Sequence, residues 1–273
     1  MYLKINFKSI GFVFFLLVLA IGISYFVTSV DAKTIDITTN STTNEINSFF
    51  NKGEVIGNQK LRNGDTVIFH KGDYDNLRLN IKKRITLKSK GSVYFGGYRG
   101  SKIIIGSNVK VKGFKSDSYS LTMVLKGNNN ELSRSIINCE VLIKGSKNKL
   151  YKNSITNVII QGGKNYLKGN KISSRSMDYG VYILGSKNRI YNNYIHDSND
   201  GICLKKGFSN VIKGNVLSSN YWNGIYIIGS NNNKITKNKL KYNNCGIYYR
   251  YGYGNNIFKN HFYRNKIRTQ SFY

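Results

Sequence analysis

The sequence predicts an all-β fold, one chain wound into a solenoid of stacked parallel coils and closed at its N-terminal end by a short helix. Three observations lead there. Asparagines and aliphatics recur at a spacing of about 22 residues, a period that a solenoid coil needs: Asn148, Leu150, Asn153 and Ile155 reappear as Asn165, Leu167, Asn170 and Ile172, then as Asn188, Ile190, Asn193 and Ile195, and again from Asn210, Asn233 and Asn255. A second apolar strip runs in step, through Gly180, Gly201, Gly224 and Gly246 and the Val/Ile/Leu pairs that follow them. The chain holds 0 proline, as expected where nearly every strand is central and donates hydrogen bonds on both sides.

Taken in order, residues 1–32 stand apart. Lys4 and Lys8 precede an uncharged stretch over residues 9–30, and Ala32 precedes Lys33. A basic start, an apolar core and a small residue at the end describe a secretory signal peptide; the run is also long enough for a retained membrane anchor. Either reading places the body outside the cytoplasm, secreted or at the cell surface. Residues 33–62 are expected to hold an extended segment and a capping helix, because Thr42 and Glu45 form a capping-box pattern ahead of Ile46, Phe49 and Phe50. Residues 63–273 are the repeat domain. Over residues 63–105 the alternating runs are short and irregular. Regular coils begin near Asn108, and one apolar strip is expected to stack through Met123/Leu125, Val141/Ile143, Val158/Ile160, Val181/Ile183, Ile202/Leu204, Ile225/Ile227 and Ile247/Tyr249.

The repeated asparagines are read as structural. Asn tolerates left-handed backbone and hydrogen-bonds at corners, and identical corners stacked on one another let amides bond along the axis. The three cysteines, Cys139, Cys203 and Cys245, imply no disulfide framework.

The run Gly201-Ile-Cys-Leu204 leading to Asn210-Val-Ile212-Lys-Gly-Asn215-Val-Leu217 resembles the repeat of right-handed parallel β-helix proteins of the pectin-lyase-like superfamily, especially its NosD-like and surface adhesin-like members. Asn63-Gly-Asp65-Thr-Val-Ile-Phe69 with Gly72-Asp-Tyr74 looks like the opening of the same domain. The likeness covers residues 60–265 and implies a right-handed, single-stranded β-helix. It implies no one activity, since such folds serve lyases, hydrolases, epimerases, adhesins and scaffolds. Of the family's catalytic patterns, the proline-containing Arg and Asp-His motifs, the paired Asp segments with Gly-His-Gly and the Gly-Gly-x-Gly-x-Asp calcium repeat do not occur.

Acids nevertheless concentrate at Asp178, His196, Asp197 and Asp200. Asp178, His196 and Asp200 are the catalytic candidates: two carboxylates at neighbouring corners suit acid–base or nucleophilic work on a glycoside, and with Asn199 would suit Ca2+. Lys205 or Arg250 would then serve as a lyase base. A turn-forming Asp is the structural alternative. No other cofactor is expected, and three scattered His residues give no ligand spacing for a metal.

The outward row between the strip residues, Val124, Leu142, Ile159, Tyr182, Cys203, Tyr226 and Tyr248, turns aromatic toward the C-terminus, with Trp222 in an adjacent corner and Lys205 and Arg250 in the next row. Tyr182, Tyr226, Tyr248 and Trp222 are the candidates for stacking on sugar rings, with Lys205 and Arg250 pairing with acidic groups. An apolar outer face equally marks self-association or loop cover. The formal charge of +29 points to an anionic polysaccharide or cell-wall polymer as partner; secretion argues against nucleic acid, and membrane contact is expected only through the N-terminal segment. Lys149, Arg189 and Lys234 fall in one outward row and Lys171 and Lys239 in another, so cations are expected to stack about 5 Å apart along the axis. The resulting expectation is an adhesin-like glycan binder at the cell envelope, with an acidic-glycan lyase or hydrolase and a ligand-free surface scaffold as the alternatives.

Overall fold

Each circuit of the chain lays down three short strands, and every strand of the coils pairs in parallel with its equivalents one coil away, apart from a small antiparallel pair, Val55–Ile56 with Gln59–Lys60. The computed structural model describes residues 31–97, 100–116, 120–174 and 179–272; the expected signal peptide or anchor, residues 1–32, lies almost wholly outside them. Of the described strands, 27 form one continuous sheet, wound into about nine turns.

Three inward columns define three walls. In the first, Leu79/Ile81, Ile103/Ile105 and Met123/Leu125 stack in register and continue through Val181/Ile183 to Ile247/Tyr249. The strip expected from the sequence is therefore real, and two further coils precede it. The second wall stacks Leu87, Val111, Leu132, Leu150, Leu167, Ile190, Ile212, Ile235 and Ile257. The third stacks Ile137, Ile155, Ile172, Ile195, Leu217, Leu240 and Phe262. Nearly all of these are fully buried, and the strands alternate, so the residues between them face out.

The N-terminal end is sealed by both apolar and polar means. The first strand, Thr34–Ile37, pairs with Thr66–Asp73, so the extended segment expected ahead of the helix begins the sheet. The helix Thr43–Asn51 is capped as expected: Glu45 N–H donates to the Thr42 hydroxyl, and Thr42 N–H donates to the Glu45 carboxylate at 2.7 Å. Those bonds hold the Glu45 carboxyl below its ordinary pKa. The helix buries Ile46, Phe49 and Phe50 over the first coil. Its outer residues complete the open strand edge, because Asn47 accepts from Arg78 N–H at 2.7 Å and Asn51 accepts from Asn80 N–H at 2.7 Å. An edge that would otherwise template aggregation is thus satisfied by side chains.

At the corner between the first and second walls, Asn148, Asn165, Asn188, Asn210, Asn233 and Asn255 form a buried ladder. Each side-chain oxygen from Asn165 onward accepts the backbone N–H of the ladder residue before it, at 2.8 to 3.0 Å. A second ladder runs through Asn153, Asn170, Asn193, Asn215, Asn238 and Asn260, where each amide also donates to a strand carbonyl. The sequence reading missed a third, Asn220, Asn243 and Asn265, at the remaining corner. The residue before a ladder position adopts left-handed backbone, as at Lys147 (φ 59), Lys164 (φ 60), Lys187 (φ 61) and Lys152 (φ 56). That conformation turns the following asparagine inward.

Close approach decides the glycines of the first corner. A Cβ at Gly145, Gly162 or Gly185 would overlap the carbonyl oxygen of the preceding glycine in the column, Gly127, Gly145 and Gly162 respectively.

One expectation is corrected. Lys149 and Arg189 are separated in their row by Tyr166, Arg189 and Lys234 by Val211, and Lys171 and Lys239 by Tyr194 and Val216. Cations within these rows therefore lie about 10 Å apart or more, near the Debye length, where salt screens most of the repulsion. The reading from sequence had skipped the intervening coils.

Three substitutions test the corner geometry by urea unfolding. Gly162→Ala should lower stability by about 3 kcal/mol through overpacking against backbone. Asn193→Ala should cost roughly 3 kcal/mol, because it strands the backbone N–H and one amide hydrogen of Asn170 in a dry interior. Lys152→Gly should be neutral or stabilise by up to ~1 kcal/mol, as glycine relieves the left-handed strain; a loss on the scale of Gly162→Ala would contradict this account.

Candidate functional site

The richest surface lies where the third wall turns into the first, toward the C-terminal end. Between Ser218 and Asn223 the corner is one residue longer than its counterparts after His196, Lys241 and Tyr263, and it carries Tyr221 and Trp222, exposed by 75% and 52%. Backbone bonds from Tyr221 N–H to Ser198 and from Trp222 N–H to Asn199, each 2.8 Å, fix this corner to the coil before it. Two grooves flank it. One, of about 320 Å³, is lined by Trp222, Asn223, Tyr226, Asn244, Tyr248 and Gln270. The other, of about 430 Å³, is lined by Tyr221, Tyr242, Asn243, Asn244, Arg264 and Lys266. Asn244 borders both, so together they flank a corner with aromatic side chains on each side and cations on one.

Trp222, Tyr226 and Tyr248 are therefore brought together. Tyr226 and Tyr248 are in direct register, with rings edge to face at 5.2 Å. Tyr182 is not part of that pair. Cys203 stands between it and Tyr226, and Tyr182 instead stacks on Tyr179 at 4.8 Å. Cys203, expected to face outward, is only 1% exposed, and Val124 in the same row is also buried; large neighbours cover a small side chain even on an outward position. Lys205 and Arg250 share the adjoining row with Ile228 between them. Lys205 is exposed, and Arg250 lies over the Tyr251 ring at 4.7 Å and donates to its hydroxyl. Neither lines the grooves, whose cations are Arg264 and Lys266. The sequence signal for that pair was present in the ladder period, since Asn265 lies between them, but the ladder itself had not been recognised at this corner.

Of the catalytic candidates, Asp178 lies outside the described residues, so neither a carboxylate pair nor a Ca2+ site with Asp200 has a geometry here. Asp200 is 1% exposed and accepts from the backbone N–H and the amide of Asn223, at 3.1 and 2.6 Å. Burial pushes its carboxyl up to about 6, against the downward pull of those two bonds. His196 sits on the third wall, its Nδ1 2.7 Å from the Asp197 carboxylate and its ring stacked on Tyr194, while Nε2 is buried with no partner. No hydrogen bond or ion pair joins His196 to Asp200, and among the described residues no three His, Cys, Asp or Glu side chains converge as metal ligands. The three cysteines are free and buried, and burial raises all three thiols, Cys139 to about 12. Cys203 and Cys245 lie in different rows, beside Tyr226 and Asn223 respectively. Burial likewise raises the Tyr226 phenol, and that of Tyr179 to about 12. These groups are neutral near pH 7, so the surface offers hydrogen bonds and ring faces rather than nucleophiles.

A family model described as right handed beta helix region matches residues 135–271. The chain belongs to the right-handed β-helix family. Its fold is similar to that of the mannuronan C-5 epimerase AlgE4 A-module from Azotobacter vinelandii, with a TM-score of 0.51 at 12% identity, over 85% of this chain and 94% of that one. The AlgE6 A-module of the same organism gives 0.46 at 11% identity, over 85% and 96%. Pectate lyase Pel9A gives 0.48 at 12% identity, over 83% and 77%. No curated protein matches the sequence. No helix among the described residues is long and apolar enough to cross a membrane.

Asp200 makes a pH prediction. Its folded pKa of about 6 lies above the ordinary 3.8, so its contribution to stability is fully present below the unfolded value and is lost as pH rises through the folded one. Stability should therefore fall between pH 3.8 and 6 by on the order of 3 kcal/mol from this group. Asp200→Asn should remove that slope and raise the unfolding midpoint at pH 7; an unchanged slope would place the titration elsewhere.

Proposed function

We propose that the protein binds an acidic polysaccharide at the cell envelope, outside the cytoplasm, as an adhesin-like module rather than through a small ligand. The observation that carries this reading is the convergence of Trp222, Tyr226 and Tyr248 on one groove, with Arg264 and Lys266 in the groove beside it. Aromatic faces take the apolar faces of sugar rings, and neighbouring cations take their carboxylates. Charge supports it: after Asp200 the chain contains no acidic residue, while twelve Lys and Arg follow. The fold is one on which a mannuronan epimerase is built, so an acidic glycan can lie along such a scaffold. Self-association through the same aromatic surface is the competing use of it.

A second reading, an acidic-glycan lyase or hydrolase, has one observation in its favour. Asp200 is buried one coil before the groove, behind Asn223, and its raised pKa is what a general acid requires.

Affinity electrophoresis and calorimetry on polyuronates separate these. Trp222→Ala and Tyr248→Ala should each weaken binding about tenfold, the loss expected of an aromatic anchor, with unfolding midpoints unchanged. If both variants bind as the parent does, the groove is not the glycan site. Release of unsaturated ends or new reducing ends, abolished by Asp200→Asn, would replace the binding reading with the enzymatic one.

A further inference from the structure

The second wall carries a pattern that the groove does not use. Its outward positions form two rows, and each coil from Lys149 to Lys234 places one cation in one of them. In chain order these are Lys149 in the first row, Lys168 in the second, Arg189 in the first, Lys213 in the second and Lys234 in the first. The cations alternate from row to row over five successive coils. Successive members are offset by one strand spacing along the axis and two residues along the strand, which puts them about 8 Å apart.

The remaining positions on the first three of these coils are aromatic: Tyr151, Tyr166 and Tyr191. Tyr166 and Tyr191 meet edge to face at 5.6 Å. All three rings are half-buried, lying on the sheet rather than standing from it, whereas all five cations are exposed. Among the described residues none of the five has an ion-pair partner. Glu131, which lies between Lys110 and Lys149 in the first row, is held by the Tyr151 and Ser133 hydroxyls at 2.9 and 3.1 Å. The later described acids, Glu140, Asp197 and Asp200, belong to the corner opposite this wall.

A second observation points the same way. Beside the wall, Lys147, Lys164 and Lys187 follow one another on consecutive coils in left-handed backbone, where a side chain beyond Gly or Asn costs roughly 1–2 kcal/mol. The same column uses Asn108, Asn129, Ser209, Asn232 and Gly254. All three are exposed, so they add a cation beside the wall on each of the coils that carry Lys149, Lys168 and Arg189.

We infer that the second wall is a docking face for an extended acidic glycan whose charges alternate from side to side, one sugar residue per coil. In a β-1,4-linked polyuronate with equatorial linkages each ring is turned by half a turn from the last, so its carboxylates project alternately left and right. That alternation meets the zigzag of cations, and the ring faces fall over the tyrosines between them. A bilayer is disfavoured because the outward apolar residues of the wall, Val211 and Phe258, are half-buried and none is fully exposed to insert. The inference takes its ligand class from the proposed function and stands on different residues.

The decisive variant keeps composition and net charge while breaking the alternation. Tyr166→Lys combined with Lys168→Tyr leaves Lys149, residue 166 and Arg189 as three cations in one row. Binding of the full chain to polymannuronate should fall at least tenfold, with the thermal midpoint unchanged. An unaltered affinity would reduce the face to diffuse attraction and overturn the inference. So would equal, swap-insensitive binding of inorganic polyphosphate or phosphatidylglycerol vesicles. Should the swap unfold the chain, Lys168→Gln and Lys171→Gln each remove one charge, the first on the zigzag and the second on the third wall; only the first should weaken binding, and equal effects would refute the pattern. In a Trp222→Ala background the swap should still act. Complete loss of binding in Trp222→Ala alone would leave the groove reading and remove this one, whereas swap-sensitive binding with Trp222→Ala inert would do the reverse.

Discussion

The structure depends on parallel pairing of each coil with its neighbour at a single strand spacing, near 4.8 Å. Once that register is set, every side chain has its own counterpart above and below, and any residue that is good or bad at a position is so many times over. A buried polar group is ordinarily a liability, yet a buried asparagine whose oxygen takes the backbone N–H of the ladder residue before it and whose amide meets a strand carbonyl is satisfied on both sides. The glycine column obeys the same rule with the opposite sign: where corners pass so close that a Cβ overlaps a carbonyl, no coil can depart from glycine. The register also concentrates exposure at two ends, and the N-terminal one is closed by a helix whose asparagines imitate the missing strand.

Stacking governs charge as well. A strongly basic chain wound this tightly would place like charges one strand spacing apart, and on the second wall it avoids doing so by alternating cations with tyrosine, valine or threonine. The alternation lowers self-repulsion in the free protein and at the same time sets a geometric pattern. On the opposite corner the few acids are either tied to a neighbour, as Asp197 is to His196, or buried, as Asp200 is. The alternating cations thus face outward from the second wall, while the aromatic grooves sit at the corner across from it.

Much of this was legible in the sequence, for a physical reason: a period in the chain becomes a column in space. The columns through Ile190, Ile212 and Ile235 and through Ile202, Ile225 and Ile247 follow directly from spacing. The two coils at Leu79/Ile81 and Ile103/Ile105 were harder to see, because the neighbouring strand Thr66–Asp73 shifts register between His70 and Gly72 and its partner runs to nine residues. The third asparagine ladder escaped notice because its first described rungs are serines, Ser174 and Ser198, and the corner lengthens around Tyr221 and Trp222. Row membership of cations was read correctly but their separation was not, since that requires counting every coil. Burial of Cys203 depends on ring orientations across three coils, which spacing alone does not specify.

The two surfaces differ in how their precision arises. The groove is built on a corner, where chain length varies from coil to coil, so its shape depends on the particular residues 219–223 and on the bonds that tie them to Ser198 and Asn199. The second wall is built on strands locked on both sides by neighbours, so the positions of its cations follow from the register itself. A corner can therefore provide a local, ring-sized recess, while a wall can provide only a repeating pattern and recognises only a ligand that repeats. A linear acidic polymer is the class of molecule that both kinds of surface can hold.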